Sequence, residues 1–287
     1  MPFLLTPRGA FSLAQARGFL DAFGPSGQEV GEDPDALMLA VPVDGEDAVA
    51  AIRVTQGDDG LVAGEVIAVD GTAADEVLRG QVERILSLDV DAAPFDALVR
   101  TDPVLAAIAG RHAGLRPVLF SSPYEAAAWS IVSARIRIAQ AVGIRRRIVE
   151  AAGTVVGGAP AFPPPQRLVE AARSAGVPGV KLERLEAVVA AALAGDLDVD
   201  VLRGVPPEAA VERLLALPGI GPFYAALILL RGAGVPDAPA EVDPVRAAVA
   251  RAYGRPELEG LAAYRELADG WRPWRSWVAF LIRASGA

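Results

Sequence analysis

Residues 211–254 of this 287-residue chain, VERLLALPGIGPFYAALILLRGAGVPDAPAEVDPVRAAVARAYG, restrict its fold more than any other stretch. Apolar residues at helical spacing predict one helix before the tetrapeptide PGIG at residues 218–221 and a second helix after it. The two glycines allow a sharp turn with outward backbone N–H groups, and Pro222 is tolerated in the first turn of the second helix. These N–H groups predict a binding site for an anion such as a phosphate.

The same stretch resembles the helix-hairpin-helix DNA glycosylases, and among them the 3-methyladenine DNA glycosylase II (AlkA-like) branch. The hairpin matches over residues 217–226, LPGIGPFYAA, and residues 230–232 match the Leu-Arg-Gly that ends the following helix in the family. Asp243 falls at the position of the catalytic aspartate, 22 residues after Gly221 and without a gap. A two-glycine turn by itself is a weak motif, whereas turn, helix, spacing and aspartate together are specific.

The resemblance implies that Asp243 is the catalytic residue. A carboxylate beside the sugar stabilises the positive charge that develops when an N-glycosidic bond breaks, and it orients a water molecule. The alternative from residue type is a helix N-cap, since Asp followed by Pro-Val-Arg is good capping chemistry. Glu241 is a nearby alternative acid, which we expect to be a solvated loop charge.

The resemblance also implies that the hairpin binds DNA. Gly219, Ile220 and Gly221 are expected to contact a phosphate through backbone N–H groups, and the alternative is an ordinary turn between two core helices. Hairpins of this family bind a monovalent cation through carbonyl oxygens, which by position belong to Leu215, Leu217 and Ile220. We therefore expect no required cofactor, with a structural Na⁺ or K⁺ ion at the hairpin.

A target base must leave the duplex and enter a pocket, and cationic alkylated purines stack well on aromatic faces. Phe19 and Phe223 lie at pocket positions of the family, and Trp129 and Tyr224 are further candidates. Tyr224 replaces the threonine that the family usually carries. Trp274 and Trp277 are also aromatic candidates, but their helical spacing favours the core.

Arg135 stands at the position of the side chain that fills the gap left by the flipped base. The family often has a polar pair where this chain has Ala134-Arg135, and an arginine still fills such a gap and reaches phosphates. The alternative is a surface arginine in a basic run. Arg283 stands where some members have a pocket tryptophan. These departures bear on substrate range more than on the type of reaction.

Outside the hairpin, the sequence predicts two domains. Residues 1–90 are expected to form an α+β domain, with a small antiparallel sheet from strands at 36–43, 48–54 and 61–69 and helices at 12–23 and 73–88. Residues 91–287 are expected to form an all-α helix-hairpin-helix glycosylase domain. Ser12 is the expected N-cap of the helix at 12–23 and Gly24-Pro25 its stop, and Ser122-Pro123 predicts the start of another helix. Segments that resemble the family occur in both parts, the last of them at residues 271–284, which resemble the family's last helix, so the resemblance covers almost the whole chain.

Composition excludes several classes of site. The absence of cysteine excludes disulfides and iron–sulfur clusters, and the single histidine, His112, does not favour a zinc cage. The net charge of −9 gives no support for DNA binding, but residues 1–100 carry 18 acidic and 6 basic side chains while residues 101–287 carry 18 acidic and 21 basic ones. No run predicts a membrane span or a signal peptide, so we expect a monomer in the bacterial cytoplasm that acts on nucleoid DNA.

The sequence therefore predicts a monofunctional DNA glycosylase that removes alkylated bases, such as 3-methyladenine and 7-methylguanine, from double-stranded DNA in base excision repair. In members that also cut the strand, a lysine follows the second hairpin glycine by two residues, and this chain has Phe223 there. Its only lysine, Lys181, is expected on a solvated helix face. The alternatives are a non-catalytic DNA-binding or lesion-sensing protein, and a glycosylase for hypoxanthine or etheno lesions.

Overall fold

A computed structural model describes residues 2–22, 31 and 33–286 of the chain. Within these residues the fold begins with a four-stranded antiparallel sheet of strand order β1-β4-β3-β2. The strands are β1 (Phe3–Leu5), β2 (Ala36–Pro42), β3 (Val49–Gln56) and β4 (Val62–Asp70). The three strands predicted from alternating and apolar runs are confirmed to within two residues at each end.

Two helices accompany these strands in the chain: α1 (Leu13–Ala22) lies between β1 and β2, and α2 (Asp75–Ile85) follows β4. Ser12 begins α1 as predicted, because its Oγ accepts a hydrogen bond from Gln15 N at 3.3 Å. The predicted end of this helix at Phe23 and the Gly24-Pro25 stop lie outside the described residues. Leu13, Leu20, Leu78 and Val82 pack with sheet residues such as Ile52 into one core. The small antiparallel sheet with helices is therefore confirmed.

From residue 93 onward the described chain is mostly helical. The α-helices are α3 (Ala93–Thr101), α4 (Pro103–Arg111), α5 (Pro123–Ser133), α6 (Ile138–Ala152), α7 (Pro165–Ser174), α8 (Gly179–Leu193), α9 (Val199–Arg203), α10 (Pro207–Leu215), α11 (Pro222–Leu227), α12 (Asp243–Tyr253), α13 (Leu261–Asp269) and α14 (Arg275–Ala284). A π-helical segment, Ile228–Ala233, continues α11, and a short 3₁₀ segment, Pro256–Glu259, follows α12. Among the described residues, none of these helices has the length and apolarity that crossing a bilayer requires.

The expectation that residues 91–287 are all-α is wrong in detail, because this part of the chain also contains strands. Two short strands, β5 (Val155–Val156) and β6 (Ala159–Pro160), form a hairpin. Val156 and Ala159 pack with Val49 of the sheet in a small separate core. The β5–β6 hairpin covers the face of the sheet that α1 and α2 leave open. A segment from the second part of the chain therefore completes the packing of the sheet in the first part. The predicted boundary at residue 91 stays a prediction.

The helices build two cores rather than one. The first core collects buried residues between 120 and 238, including those of α5, α8 and the hairpin helices. The second core joins α3 and α4 to α12, α13 and α14, and it contains Trp274 and Trp277, as the sequence favoured. The chain leaves the second core after α4, builds the first, and returns to the second at Ala240. Residues of both cores line one cavity, and the candidate site lies there.

Candidate active site

The hairpin joins α10 to α11 through one tight turn. Gly219 has φ +90°, a conformation that side chains rarely adopt, and it is exposed. A Cβ at Gly219 would lie 2.7 Å from Arg184 Cδ and 3.1 Å from Ile131 Cδ1, so the turn also packs tightly. Gly221 has extended backbone and nothing within 4 Å of where a Cβ would stand. Gly219 is thus needed for the turn, whereas Gly221 leaves open space next to the start of α11.

Ile220 lies between the two glycines with its side chain buried in the first helical core. Any contact it makes with DNA must therefore come from its backbone. Its N–H donates to the carbonyl of Leu217 at 3.1 Å, which closes the turn. A carbonyl oxygen has two lone pairs, so Leu217 keeps acceptor capacity for a cation. Leu215 is the last residue of α10, where helix carbonyls lack intrahelical partners, and the donor set thus fits a monovalent cation.

The loop from the π-helical segment to α12 carries Asp243 and is held by α13 and α14. Ser276 Oγ donates to Val235 O and accepts from Ala238 N at 2.7 Å. The guanidinium of Arg275 binds both carboxylate oxygens of Asp237, at 2.8 and 3.0 Å. Further along, the hydroxyl of Tyr264 donates to Ala240 O, and Arg265 binds the carboxylate of Glu241. These four side chains hold five residues of the loop before it reaches Asp243.

Asp243 is the first residue of α12, and the N-cap of this helix is Val242. The N-cap alternative for Asp243 is therefore wrong. Its carboxylate accepts one hydrogen bond from Arg246 Nη2 at 2.5 Å, yet 89% of its side chain is exposed. Glu241, the alternative acid, is not a free solvated charge, because Arg265 binds both of its oxygens and only 28% of its side chain is exposed. Of these two acids, Asp243 is the one open to a substrate.

Beside Asp243 lies a cavity of about 270 Å³ between the two helical cores. Val242 and Val245, which flank Asp243 and the adjacent Pro244, line its wall. The four aromatic residues predicted for the pocket all line it as well: Phe19, Trp129, Phe223 and Tyr224. Phe19 comes from α1 in the first part of the chain, and the other three come from α5 and α11. The structure therefore brings together residues that are more than two hundred positions apart in the sequence.

The aromatic walls of the cavity have defined geometry. Phe19 stands 4.9 Å from Phe280 of α14, ring centre to ring centre, at an interplanar angle of 55°. Phe223 and Tyr224 contact each other edge to face at 5.3 Å. The Tyr224 hydroxyl lies 3.3 Å from Ser133 Oγ and provides a polar group at the wall. The cavity is thus largely apolar with a few fixed polar groups, as sites for planar ligands are.

Two arginines are the cations of this cavity among its described lining residues. Arg231, in the π-helical segment, is buried, and its Cζ atom lies 4.7 Å from the ring centre of Phe19 and 5.6 Å from that of Phe280. Burial, together with the charge of Arg283, lowers the pKa of Arg231 to about 9, so Arg231 is still protonated at neutral pH. Arg283 lies at the exposed side of the cavity. One ring face predicted to stack on a cationic purine is therefore already in contact with a guanidinium.

Arg135 lies outside the cavity, in the connection between α5 and α6. It is exposed and has φ +59°, the left-handed conformation that non-glycine residues seldom adopt. Ser133, two residues earlier in the chain, lines the cavity wall. The position is compatible with insertion into DNA next to the cavity.

Lys181 does not occupy a solvated helix face, so this expectation is wrong. It is half-buried near the start of α8, and its Nζ donates to the carbonyls of Val132 at 2.5 Å and Ala134 at 3.1 Å. Burial and the nearby charge of Arg184 lower the pKa of Lys181.

Known proteins are similar to this chain in sequence and in fold. No family model matches the chain. It is 31% identical over 202 residues to the probable bifunctional transcriptional activator/DNA repair enzyme AlkA of Mycobacterium tuberculosis, and the match covers 68% of this chain and 40% of that protein. It is 26% identical over 208 residues to the DNA-3-methyladenine glycosylase of Bacillus subtilis, covering 68% of this chain and 67% of that one.

The chain belongs to the AlkA-like family of helix-hairpin-helix DNA glycosylases.

The fold comparison covers almost the whole chain. The solved 3-methyladenine DNA glycosylase of Archaeoglobus fulgidus superposes with a TM-score of 0.75, at 21% identity, over 98% of this chain and 96% of that one. At that identity the likeness shows the fold. The chain spans about 40% of the length of the Mycobacterium relatives, so it corresponds to a part of those proteins.

Among the lining residues that were not predicted as site residues, Arg231, Phe280 and Ser133 bear most on the chemistry of the cavity. Arg231 lies inside the matched Leu-Arg-Gly, but a residue of a predicted helix gives no sign that it faces a cavity. Phe280 lies in the predicted last helix, where an aromatic residue is more often core. Ser133 has no signal at all in the sequence. Only the packing of α5, α11 and α14 around one space selects them.

Proposed function

We propose that this protein is a monofunctional DNA glycosylase that flips an alkylated base, of the 3-methyladenine or 7-methylguanine type, out of duplex DNA and hydrolyses its N-glycosidic bond in base excision repair. The observation that carries the proposal is the position of Asp243, an exposed carboxylate at the start of α12 beside an aromatic cavity. We infer that a base in this cavity leaves its sugar outside, near the exposed carboxylate of Asp243, because Val242 and Val245 on either side of Asp243 line the cavity.

The arrangement supports hydrolysis without a cofactor. As the bond to the base breaks, positive charge grows on the sugar, and the carboxylate of Asp243 stabilises it and orients the attacking water. Trp129, Phe223 and Tyr224 offer apolar and aromatic surface to the flipped base. The hydrogen bond from Arg246 holds the Asp243 carboxylate in place while most of its side chain stays open.

Double-stranded DNA is the partner of this reaction. The hairpin contributes the backbone N–H groups of Gly219 and Gly221 to one phosphate, since the N–H of Ile220 already donates to Leu217 O. A Na⁺ or K⁺ ion on the carbonyls of Leu215, Leu217 and Ile220 adds positive charge there. Arg135 fills the space that the base leaves in the duplex. A monomer is sufficient, because the cavity, the acid and the hairpin all belong to one chain.

The decisive experiment incubates the protein with duplex DNA treated with a methylating agent and identifies the released bases by mass spectrometry. Release of 3-methyladenine or 7-methylguanine, with the DNA strand left intact, is the expected result. DNA binding without release of any base would support instead the non-catalytic, lesion-sensing alternative.

A second candidate, a glycosylase for hypoxanthine or etheno lesions, is favoured by one observation. Arg231 and Arg283 give the cavity positive charge, which repels a base that is itself a cation but not a neutral base with carbonyl or ring-nitrogen acceptors. The two candidates share one reaction and differ in the charge of the base.

Arg283→Gln tests this difference, since it removes the more exposed charge and keeps hydrogen-bonding capacity. If the arginines select against cations, excision of 7-methylguanine rises relative to hypoxanthine by about tenfold, which corresponds to ~1.4 kcal/mol. Parallel single-turnover assays on two duplexes that differ only in the lesion measure the ratio. An unchanged ratio would show that Arg283 does not sense the charge of the base.

A further inference from the structure

The end of helix α5 is held by a side chain from a different helix. Lys181, near the start of α8, donates hydrogen bonds through Nζ to the carbonyls of Val132 and Ala134. The last carbonyls of an α-helix have no partners within the helix, and a cation at this end also interacts favourably with the helix dipole. An amine with three donors is well suited to bind two such carbonyls at once.

The residue that directly follows these carbonyls is Arg135. Its left-handed conformation, φ +59°, costs free energy in a non-glycine residue, so it persists only where the surrounding structure imposes it. Lys181 binds the carbonyl of Ala134, which is part of the peptide unit that joins Ala134 to Arg135. The lysine thus acts on the backbone that sets the direction of the Arg135 side chain.

We propose that Lys181 is a positioning residue that holds Arg135 in the geometry needed to fill the duplex where a base has flipped out. This inference rests on the proposed function, because only a base-flipping protein needs such a filling side chain. Lys181 touches neither the cavity nor the acid, so its contribution comes through the 134–137 connection.

The structure supplies a matched comparison on the same helix. Arg184 lies one turn further along α8, next to Gly219 of the hairpin. Removing either cation subtracts one positive charge from the same helix face. Only removal of Lys181 also releases the end of α5, so a general charge effect and a positioning effect can be told apart.

The test measures dissociation constants for two duplexes that are identical except that one carries a stable abasic-site analogue. Lys181→Met is expected to reduce the preference for the abasic duplex by about tenfold, the size expected when hydrogen bonds from a charged donor are lost. Lys181→Arg, which keeps charge and donors, retains most of the preference. Arg184→Met weakens binding to both duplexes alike and lowers the salt slope by about one.

A double-variant cycle identifies the route of the effect. If Lys181 acts through Arg135, the double variant Arg135→Ala/Lys181→Met shows no more loss of preference than Arg135→Ala alone. Thermal unfolding and circular dichroism confirm that each variant is folded, and Lys181→Gln replaces Lys181→Met if the latter does not fold.

Two different results would contradict the role of Lys181 and the role of Arg135, and they can be distinguished. If Arg135→Ala loses the preference for abasic DNA while Lys181→Met and Lys181→Gln keep it, or if the losses add in the double variant, Lys181 is not the positioning residue. If Arg135→Ala also keeps the preference, the filling role of Arg135 is wrong and the inference fails with it. Base release, measured separately, tests the glycosylase proposal itself.

Discussion

At the scale of single residues, Glu241 and Asp243 are two positions apart in the sequence but have different partners. This difference decides their roles. Glu241 is neutralised by a two-oxygen ion pair with Arg265 and helps to fix the loop. Asp243 has one hydrogen bond, to Arg246, and is otherwise open. A carboxylate that is held but exposed can face a positively charged sugar, whereas a fully paired one cannot without losing its partner.

Asp243→Asn is expected to lower single-turnover base release by about 10²–10³-fold, because the amide keeps the shape of the side chain but lacks the charge that stabilises the transition state. Binding to undamaged duplex should stay within a few-fold of the wild type. Glu241→Gln is the matched control, and it should keep most of the activity. Near-normal release by Asp243→Asn would show that this carboxylate is not catalytic.

The protein is expected to release bases without cutting the strand. Strand cleavage by a glycosylase uses an amine that forms a Schiff base with the sugar. The position where the family carries that lysine holds Phe223, which lines the cavity, and Lys181 uses its Nζ to bind two carbonyls. Borohydride trapping on lesion-containing DNA should give no adduct. An adduct that disappears in Lys181→Ala, together with nicking without added alkali, would contradict this prediction.

At the scale of elements, the helix after the helix-hairpin-helix turn changes from α-helical to π-helical where it packs against α5. Segment Ile228–Ala233 is π-helical, and π-helical turns often mark functional sites because they re-aim side chains. Here the segment carries Arg231 to the cavity and Gly232 to α5. A Cβ on Gly232 would lie 2.8 Å from Pro123 Cα and 3.0 Å from Ala126 Cβ, so the two backbones approach as closely as a glycine allows.

Gly232→Ala is therefore expected to lower the free energy of unfolding by roughly 1–3 kcal/mol, the cost of forcing an extra methyl group into a packed contact. Because the segment also carries Arg231, base release should fall as well. Gly143→Ala in α6 is the control: only a distant arginine nitrogen lies within 4 Å of the added Cβ, and alanine favours the helix. Urea denaturation of both variants measures the difference, and equal stabilities would refute the close contact.

At the scale of the whole molecule, a buried arginine is one of the contacts that join the first and second parts of the chain. The guanidinium of Arg116 donates to the carbonyls of Arg8, Ala10, Ser87 and Val90. These acceptors lie in the N-terminal segment and in the connection after α2. The same N-terminal segment leads into α1, which places Phe19 at the cavity. The hydrogen bonds of Arg116 therefore affect the site as well as the stability of the fold.

Arg116→Met is expected to destabilise the fold by about 2–4 kcal/mol, because it leaves several buried carbonyls without a donor. Phe19 should also be held less firmly, so base release should fall more than binding to undamaged DNA. Arg111→Met, an exposed arginine nearby in sequence, should have almost no effect. Thermal unfolding compares the two, and equal melting temperatures would show that the buried arginine does not hold the two parts together.

The sequence by itself determined the elements whose causes are local. Glycines and a proline predicted the hairpin, alternating apolar residues predicted strands β2, β3 and β4, and capping residues predicted the starts of α1 and α5. The helix start at Ser122 is confirmed by the hydrogen bond that its Oγ accepts from Glu125 N at 3.2 Å. Turns, caps and periodic burial depend on neighbours within a few positions, so a single sequence contains the information. The ungapped match around Asp243 supplied the family.

Only the tertiary structure decided which side chains share a space. Phe19, Arg231 and Phe280 meet because α1, the π-helical segment and α14 converge between the two helical cores. One of these cores is made of two stretches of the chain, and the stretch between them forms the other core. The ion pair that occupies Glu241 and the two carbonyls bound by Lys181 likewise join residues 24 to 49 positions apart. Such contacts depend on the summed geometry of many helices, and no local pattern of residue types encodes their partners.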